Sequence, residues 1–231
     1  MHINILGGGW VTANGFGMMD KGDAFSAGEG APVIPAAKEI FTQPLTRYGR
    51  FDTYTKLGCA AIALALKDAG LDQTDQKRHI GVIVSTVYEC FESDLAFQET
   101  TIEEDGSFSS PNLFSYTLPG IVIGEAAIYF KLTGPTFTVG DQLENRGLSA
   151  LATAKDLIES GACDLVVAGW LDSPNELLKT TVEPDDQIRG ALFTVLSNKE
   201  SKSSKKIKIE NAEFYLNSDK KITSLPDLFQ R

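Results

Sequence analysis

The chain has 231 residues, 42% of them hydrophobic and 23% charged, and carries a formal net charge of −10. This composition supports one folded domain over residues 1–231 and excludes an intrinsically disordered chain. The acidic balance argues against nucleic acid, whose phosphates demand basic surface.

The start, Met1 to Leu6, has no basic region followed by a long apolar stretch, so a signal peptide is not expected and a cytoplasmic location is the default. Ile3 to Leu6 predicts a short strand that ends at Gly7-Gly8-Gly9. These glycines do not make a dinucleotide fingerprint, because Thr12 stands where the third glycine belongs. Residues 14–50, rich in Gly, Pro and Ala, read as irregular excursions. Asp52 offers an N-cap, and Leu57, Ala60, Ala61, Leu64 and Ala65 recur at helical spacing until Gly70. Ile80 to Val84 reads as a buried parallel strand.

Asp94 to Glu104 and Tyr116 to Phe130 are expected to be helical, with the loop Asp105 to Pro111 between them. The apolar run Leu118 to Phe130 is too short for a membrane span and contains Glu125. A strand at Thr136 to Val139, a helix at Leu148 to Glu159 and a strand at Leu165 to Ala168 follow. Ala191 to Leu196 and Ile207 to Leu216 are expected to pair as a hairpin across a lysine-rich turn. The order favours an α/β sheet covered by helices.

Cys59, Cys90 and Cys163 lack metal-ligand spacing, and no metal site is expected. Cys59 and Cys163 read as small buried hydrophobes, and Cys90 has no cationic neighbour to activate it. Charge is uneven: residues 1–198 carry 13 basic and 26 acidic side chains, residues 199–231 carry 8 and 5. Lys202, Lys205, Lys206 and Lys208 form either a solvated turn or a docking patch for an acidic protein.

Five segments in order carry a resemblance. They are Lys67-Asp-Ala-Gly-Leu71, Ser110-Pro-Asn-Leu-Phe114, Gly124 to Pro135, Gly161 to Gly169, and Gly190 to Leu196. Together they resemble the N-terminal half of a β-ketoacyl synthase of the thiolase superfamily, from Met1 to about residue 217, with 218–231 as a tail. The resemblance implies one thiolase-like repeat, a mixed five-stranded sheet covered by helices. It also implies dimerisation through the strand Thr136, Phe137, Thr138 and Val139.

In that family a cysteine nucleophile sits where the strand after Gly-Pro meets a buried helix. Here the turn reads Asp141-Gln142-Leu143-Glu144. Counting forward from Gly134-Pro135 puts Leu143 at the cysteine position, and counting back from Gly161 puts Glu144 there. Neither forms a thioester. The second repeat, which supplies two catalytic histidines in the family, has no counterpart, and His2 and His79 read as strand-end residues. Condensation needs the thiolate, the hydrogen-bond donors and the oxyanion site together, so the chain alone is not expected to be an enzyme.

The resemblance therefore implies a chain-length-factor type of subunit, of the kind that accompanies aryl polyene or related polyketide synthases. Its partners would be a full-length synthase, as heterodimer, or a second copy, as homodimer, together with an acyl carrier protein. No cofactor is implied except phosphopantetheine borne by that carrier. Leu95, Phe97, Leu113, Phe114 and Tyr116 are the candidates for the tunnel or interface, with core packing as the plainer reading. Three alternatives are a loading-type decarboxylase using Gln142, half of a split synthase, and a purely structural binding protein.

Overall fold

The computed structural model describes residues 2–102, 106–173, 189–199 and 205–230. Among these residues nine strands form one sheet, in the order β4-β3-β5-β6-β1-β7-β8-β9, with β2 paired to β1 alongside. The strands are β1 (His2–Thr12), β2 (Gly15–Met18), β3 (Ile80–Thr86), β4 (Thr136–Gly140), β5 (Leu165–Asp172), β6 (Gly190–Ser197), β7 (Lys206–Glu210), β8 (Glu213–Leu216) and β9 (Lys220–Ile222). The first five in spatial order are the expected mixed sheet: β3 runs parallel to β4 and β5, and β6 runs antiparallel to β5 and β1. The remaining strands enlarge it beyond the five the resemblance implies.

The largest departures from the sequence expectation are in two strand regions. β1 does not stop at the glycines but runs through them to Thr12. A Cβ on Gly7 would lie 2.5 Å from the main-chain nitrogen of Ala69, and one on Gly9 would lie 2.4 Å from that of Ala65. The glycines let helix α2 (Thr53–Asp68) settle onto the strand. A bulge between Ile5 and Gly7 switches the alternation, so that Ile3 and Ile5 share a face with Gly8 and Trp10. The expected hairpin of 191–196 with 207–216 also fails. β1 lies between β6 and β7, and 207–216 is itself two strands joined at Asn211-Ala212, both at positive φ. That two-residue turn has the geometry of a tight hairpin but lacks the usual glycine.

The helices are α1 (Ala37–Ile40), α2, α3 (Phe91–Ile102), α4 (Pro111–Phe114), α5 (Ile121–Phe130) and α6 (Leu148–Glu159). α5 begins at Ile121 rather than Tyr116, because Pro119-Gly120 interrupts the apolar run. α2 is capped by Asp52, which accepts from Thr55 N at 2.9 Å, and ends at Gly70 with φ 69°. It is buried nearly all round, between β1 and β6 on one side and α5 on the other.

Two apolar cores result, one on each face of the sheet. The first gathers α2, α5, Phe41, Tyr48, Phe51 and the α2-facing residues of β3, β5 and β6. The second gathers α6, Ile3, Trp10, Trp170, Leu196 and the C-terminal residues Phe214, Ile222, Leu225, Leu228 and Phe229. α6 reaches its core through Ala150, Leu151, Ala154 and Ile158, one stripe of a 3.6-residue period.

Candidate functional site

The turn between β4 and α6 is where the sequence places the altered nucleophile motif. β4 lies against β3 with Asp141 N donating to Thr86 O at 3.0 Å. Asp141 then turns its carboxylate onto the foot of α6. It accepts from Gly147 N at 2.5 Å, from Ser149 Oγ at 3.0 Å and from Gln142 N at 3.1 Å. The exposed amides and positive end of a helix N-terminus favour a negative group, and here the chain's own carboxylate fills that place. Gln142 is exposed, with Oε1 3.5 Å from Asn145 Nδ2. Leu143–Asn145 form a single 3-10 turn in which Leu143 is half-buried and Glu144 exposed. Arg146 and Gly147 then carry the chain inward, Gly147 at φ 85°.

Among the described residues, no histidine or cysteine lines the cleft at this turn. His79 precedes β3, at the opposite end of the strand from the turn, and its Nε2 lies 3.0 Å from Ala162 O. His2 is exposed at the start of β1. Cys90 is buried beside Asp94, and burial first, then that carboxylate, push its thiol up to about 12. Cys59 is likewise pushed up by burial. Neither offers a thiolate at neutral pH. No group of three or more His, Cys, Asp or Glu among the described residues could hold a metal ion. No helix among them is long and apolar enough to cross a membrane.

One buried polar cluster was not anticipated from the sequence. Asp172, at the end of β5, accepts from Thr86 Oγ1 at 2.7 Å, Tyr88 N at 2.8 Å, Val87 N at 3.1 Å and Trp170 Nε1 at 2.6 Å. It ties the end of β3 to the end of β5. Burial raises its carboxyl from 3.8 to about 6, against the opposing pull of these four donors. The only hint in the sequence is an acidic residue closing an apolar strand.

The tunnel and interface candidates divide. Phe97 on α3 and Phe114 on α4 pack ring to ring, centroids 5.3 Å apart, and Phe114 is 59% exposed. Leu95 and Leu113 are half-buried on the same two helices. Tyr116 instead joins the first core beside Phe51. Thr136 to Val139 form the outermost strand on one side of the sheet, with Phe137 47% exposed. Of the lysines, Lys202 lies outside the described residues. Lys205 O accepts from Ile5 N, Lys206 is exposed, and Lys208 pairs with Glu210 at 2.6 Å.

Residues 21–181 match the family described as β-ketoacyl synthase, N-terminal domain. The chain belongs to that family. A granaticin polyketide β-ketoacyl synthase of Streptomyces violaceoruber is 31% identical over 133 residues, 54% of this chain and 31% of that protein. The chain thus spans about a third of that relative's length. Three solved structures share the fold. The ishigamide ketosynthase/chain length factor superposes with TM-score 0.64 at 17% identity, over 85% of this chain and 58% of its own. A type II polyketide acyl-carrier protein in complex with its ketosynthase gives 0.66 at 17%, over 89% and 67%. The ketosynthase in complex with its chain length factor from Xenorhabdus doucetiae gives 0.64 at 11%, over 90% and 82%. The sheet with its two covering layers is therefore a ketosynthase-like, thiolase-type fold.

Proposed function

We propose that this chain is a non-catalytic ketosynthase-like subunit of the chain-length-factor type. It pairs with an active β-ketoacyl synthase in polyketide- or fatty-acid-like biosynthesis and shapes the tunnel for the growing acyl chain. The observation that carries this reading is Asp141 capping α6 at the turn where the family places its cysteine, with no thiol or imidazole at the site among the described residues. An anionic side chain seated on the helix N-terminus repels the carboxylate and oxyanion that condensation would bring there. The similarity to chains solved as ketosynthase and chain length factor agrees with it.

Two surfaces suit the partner role. β4 is an edge strand without a charged or proline residue to discourage pairing. α3 and α4 present Phe97, Phe114 and half-buried leucines, the lipid-like lining that an acyl chain requires. The carrier protein supplies any phosphopantetheine, and Lys202, Lys205, Lys206 and Lys208 are its docking candidates.

The test is co-expression with a full-length synthase encoded in the same genomic neighbourhood. The reading expects a co-eluting heterodimer, and no acyl adduct on this chain by mass spectrometry after incubation with loaded carrier protein. A stoichiometric thioester on this chain would overturn it, as would a monomer indifferent to the synthase.

A further inference from the structure

The C-terminal residues lie beyond the span matched to the family, yet they reach the altered turn. Asp227 accepts from Thr223 N at 2.8 Å, Thr223 Oγ1 at 3.1 Å and Ser224 N at 3.1 Å, and so rolls Leu225–Leu228 into a 3-10 turn. Leu225 and Leu228 are fully buried and Phe229 nearly so. Phe229 packs against Trp10, centroids 5.7 Å apart, and against Phe25, 5.6 Å apart.

At the other end Leu225 N donates to Arg146 O at 2.7 Å. Gly147, the residue whose N–H Asp141 caps, has no room for a side chain on that side: a Cβ would lie 2.3 Å from that of Leu225. The strap and the helix cap thus meet on consecutive residues. Just beyond, an open cleft of about 760 Å³ separates Gly140, Asp141 and Ser149 from Glu213, Lys221 and Thr223.

We propose that residues 223–229 are an intramolecular strap that holds the turn 141–147 in its helix-capping form. Its seating on Gly147 and the closure of the turn are one conformational equilibrium. Among the described residues, a single main-chain hydrogen bond, Leu225 N to Arg146 O, joins residues 223–229 to residues outside the strap. The remaining hold is apolar contact, so strap and turn separate together or stay together. The proposal stands apart from the partner role and does not need it.

Hydrogen exchange on the full chain tests it in both directions. Leu225→Ala, on the strap, should speed exchange of the Gly147–Leu151 amides about tenfold, a loss of coupling near 1.4 kcal/mol, while β3 and β5 amides keep their protection. Gly147→Ala, on the turn, should speed exchange of residues 225–229 reciprocally. Where Leu225→Ala does not fold, Leu225→Val trims one methylene and keeps the comparison. If each variant loosens only its own segment, or exchange rises evenly over the whole sheet, strap and turn are not coupled and the proposal fails.

Discussion

β4 and β9 both end the same sheet, yet one reads Thr136-Phe137-Thr138-Val139-Gly140 and the other Lys220-Lys221-Ile222. An edge strand offers a row of unpaired N–H and C=O groups, and shortness and lysine are the ordinary protections against unwanted pairing. β9 has both. Lys220 even shares a face with buried Ile222, so that a flat neighbour would have to bury its charge. β4 has neither protection. The hydrogen bonds also show which of its groups are free. Val82 N donates to Pro135 O and Asp141 N to Thr86 O, so by the two-residue period Phe137 and Val139 bond inward to β3. Thr136, Thr138 and Gly140 then turn their main-chain groups outward. Within one sheet, one edge is closed to partners and the other is left open.

The largest effect is expected where this contrast is erased at β4. Thr138→Pro removes an outward N–H while sparing every bond to β3, and proline is tolerated at such an edge position. Loss of the strand-to-strand bonds, at about 1 kcal/mol each, should weaken a synthase partner's binding roughly a hundredfold without lowering the chain's own melting temperature. Isothermal titration and thermal melts on the same samples separate the two. Unchanged affinity would show that the partner does not use this edge.

A smaller effect is expected from the strand on which β4 rests. Asp172 secures the end of β3 through four donors, and Asp172→Asn turns one acceptor into a donor facing them. About 1–3 kcal/mol of stability should be lost. The pH dependence has a definite sign. The folded carboxyl, raised from 3.8 to about 6, holds its proton more tightly than the unfolded one. Its contribution is full below about pH 4 and is lost as pH rises through about 6. Urea midpoints should therefore show parent and variant furthest apart at the acid end and closer above that window. A gap that widens with pH would mean the carboxyl is not raised.

Next in size are the products of the proposed complex. Phe114→Ala removes a ring that is exposed in this chain alone and packs, tilted, against Phe97. If this surface closes the partner's tunnel, products shift to longer chains, and Leu113→Trp shifts them to shorter ones. An intact complex with an unchanged product distribution would assign both residues to packing only.

The parts of the fold that obey local rules were readable from the sequence. The α6 boundaries follow from apolar periodicity and match Leu148–Glu159, and the α2 cap at Asp52 is as expected. The misjudged strands depend on neighbours distant in sequence, whereas the late start of α5 is a local miss at Pro119-Gly120. Gly7 and Gly9 look like a turn until α2 is seen lying on them, and the insertion of β1 between β6 and β7 leaves no mark in either strand. At the site, the sequence leaves Leu143 or Glu144 at the family's cysteine position, depending on the direction of counting. The three bonds of Asp141 and the strap at Leu225 come from folding the chain back on itself.

The smallest effect is expected at β9, and it tests whether that edge is protected or merely unused. Lys221 pairs with Glu213 at 2.6 Å, but both side chains are about half exposed, 54% and 45%. Solvent and salt screen such a pair, and surface pairs of this kind contribute little to stability. Lys221→Ala alone should leave the melting temperature within error of the parent. The double variant Lys220→Thr with Lys221→Val gives β9 the uncharged, β-branched character of β4. Its melting temperature should again hold, but dynamic light scattering should show self-association that grows with concentration. A double variant as monodisperse as the parent would mean that the lysines are not what keeps this edge unpaired, and that its three-residue length suffices.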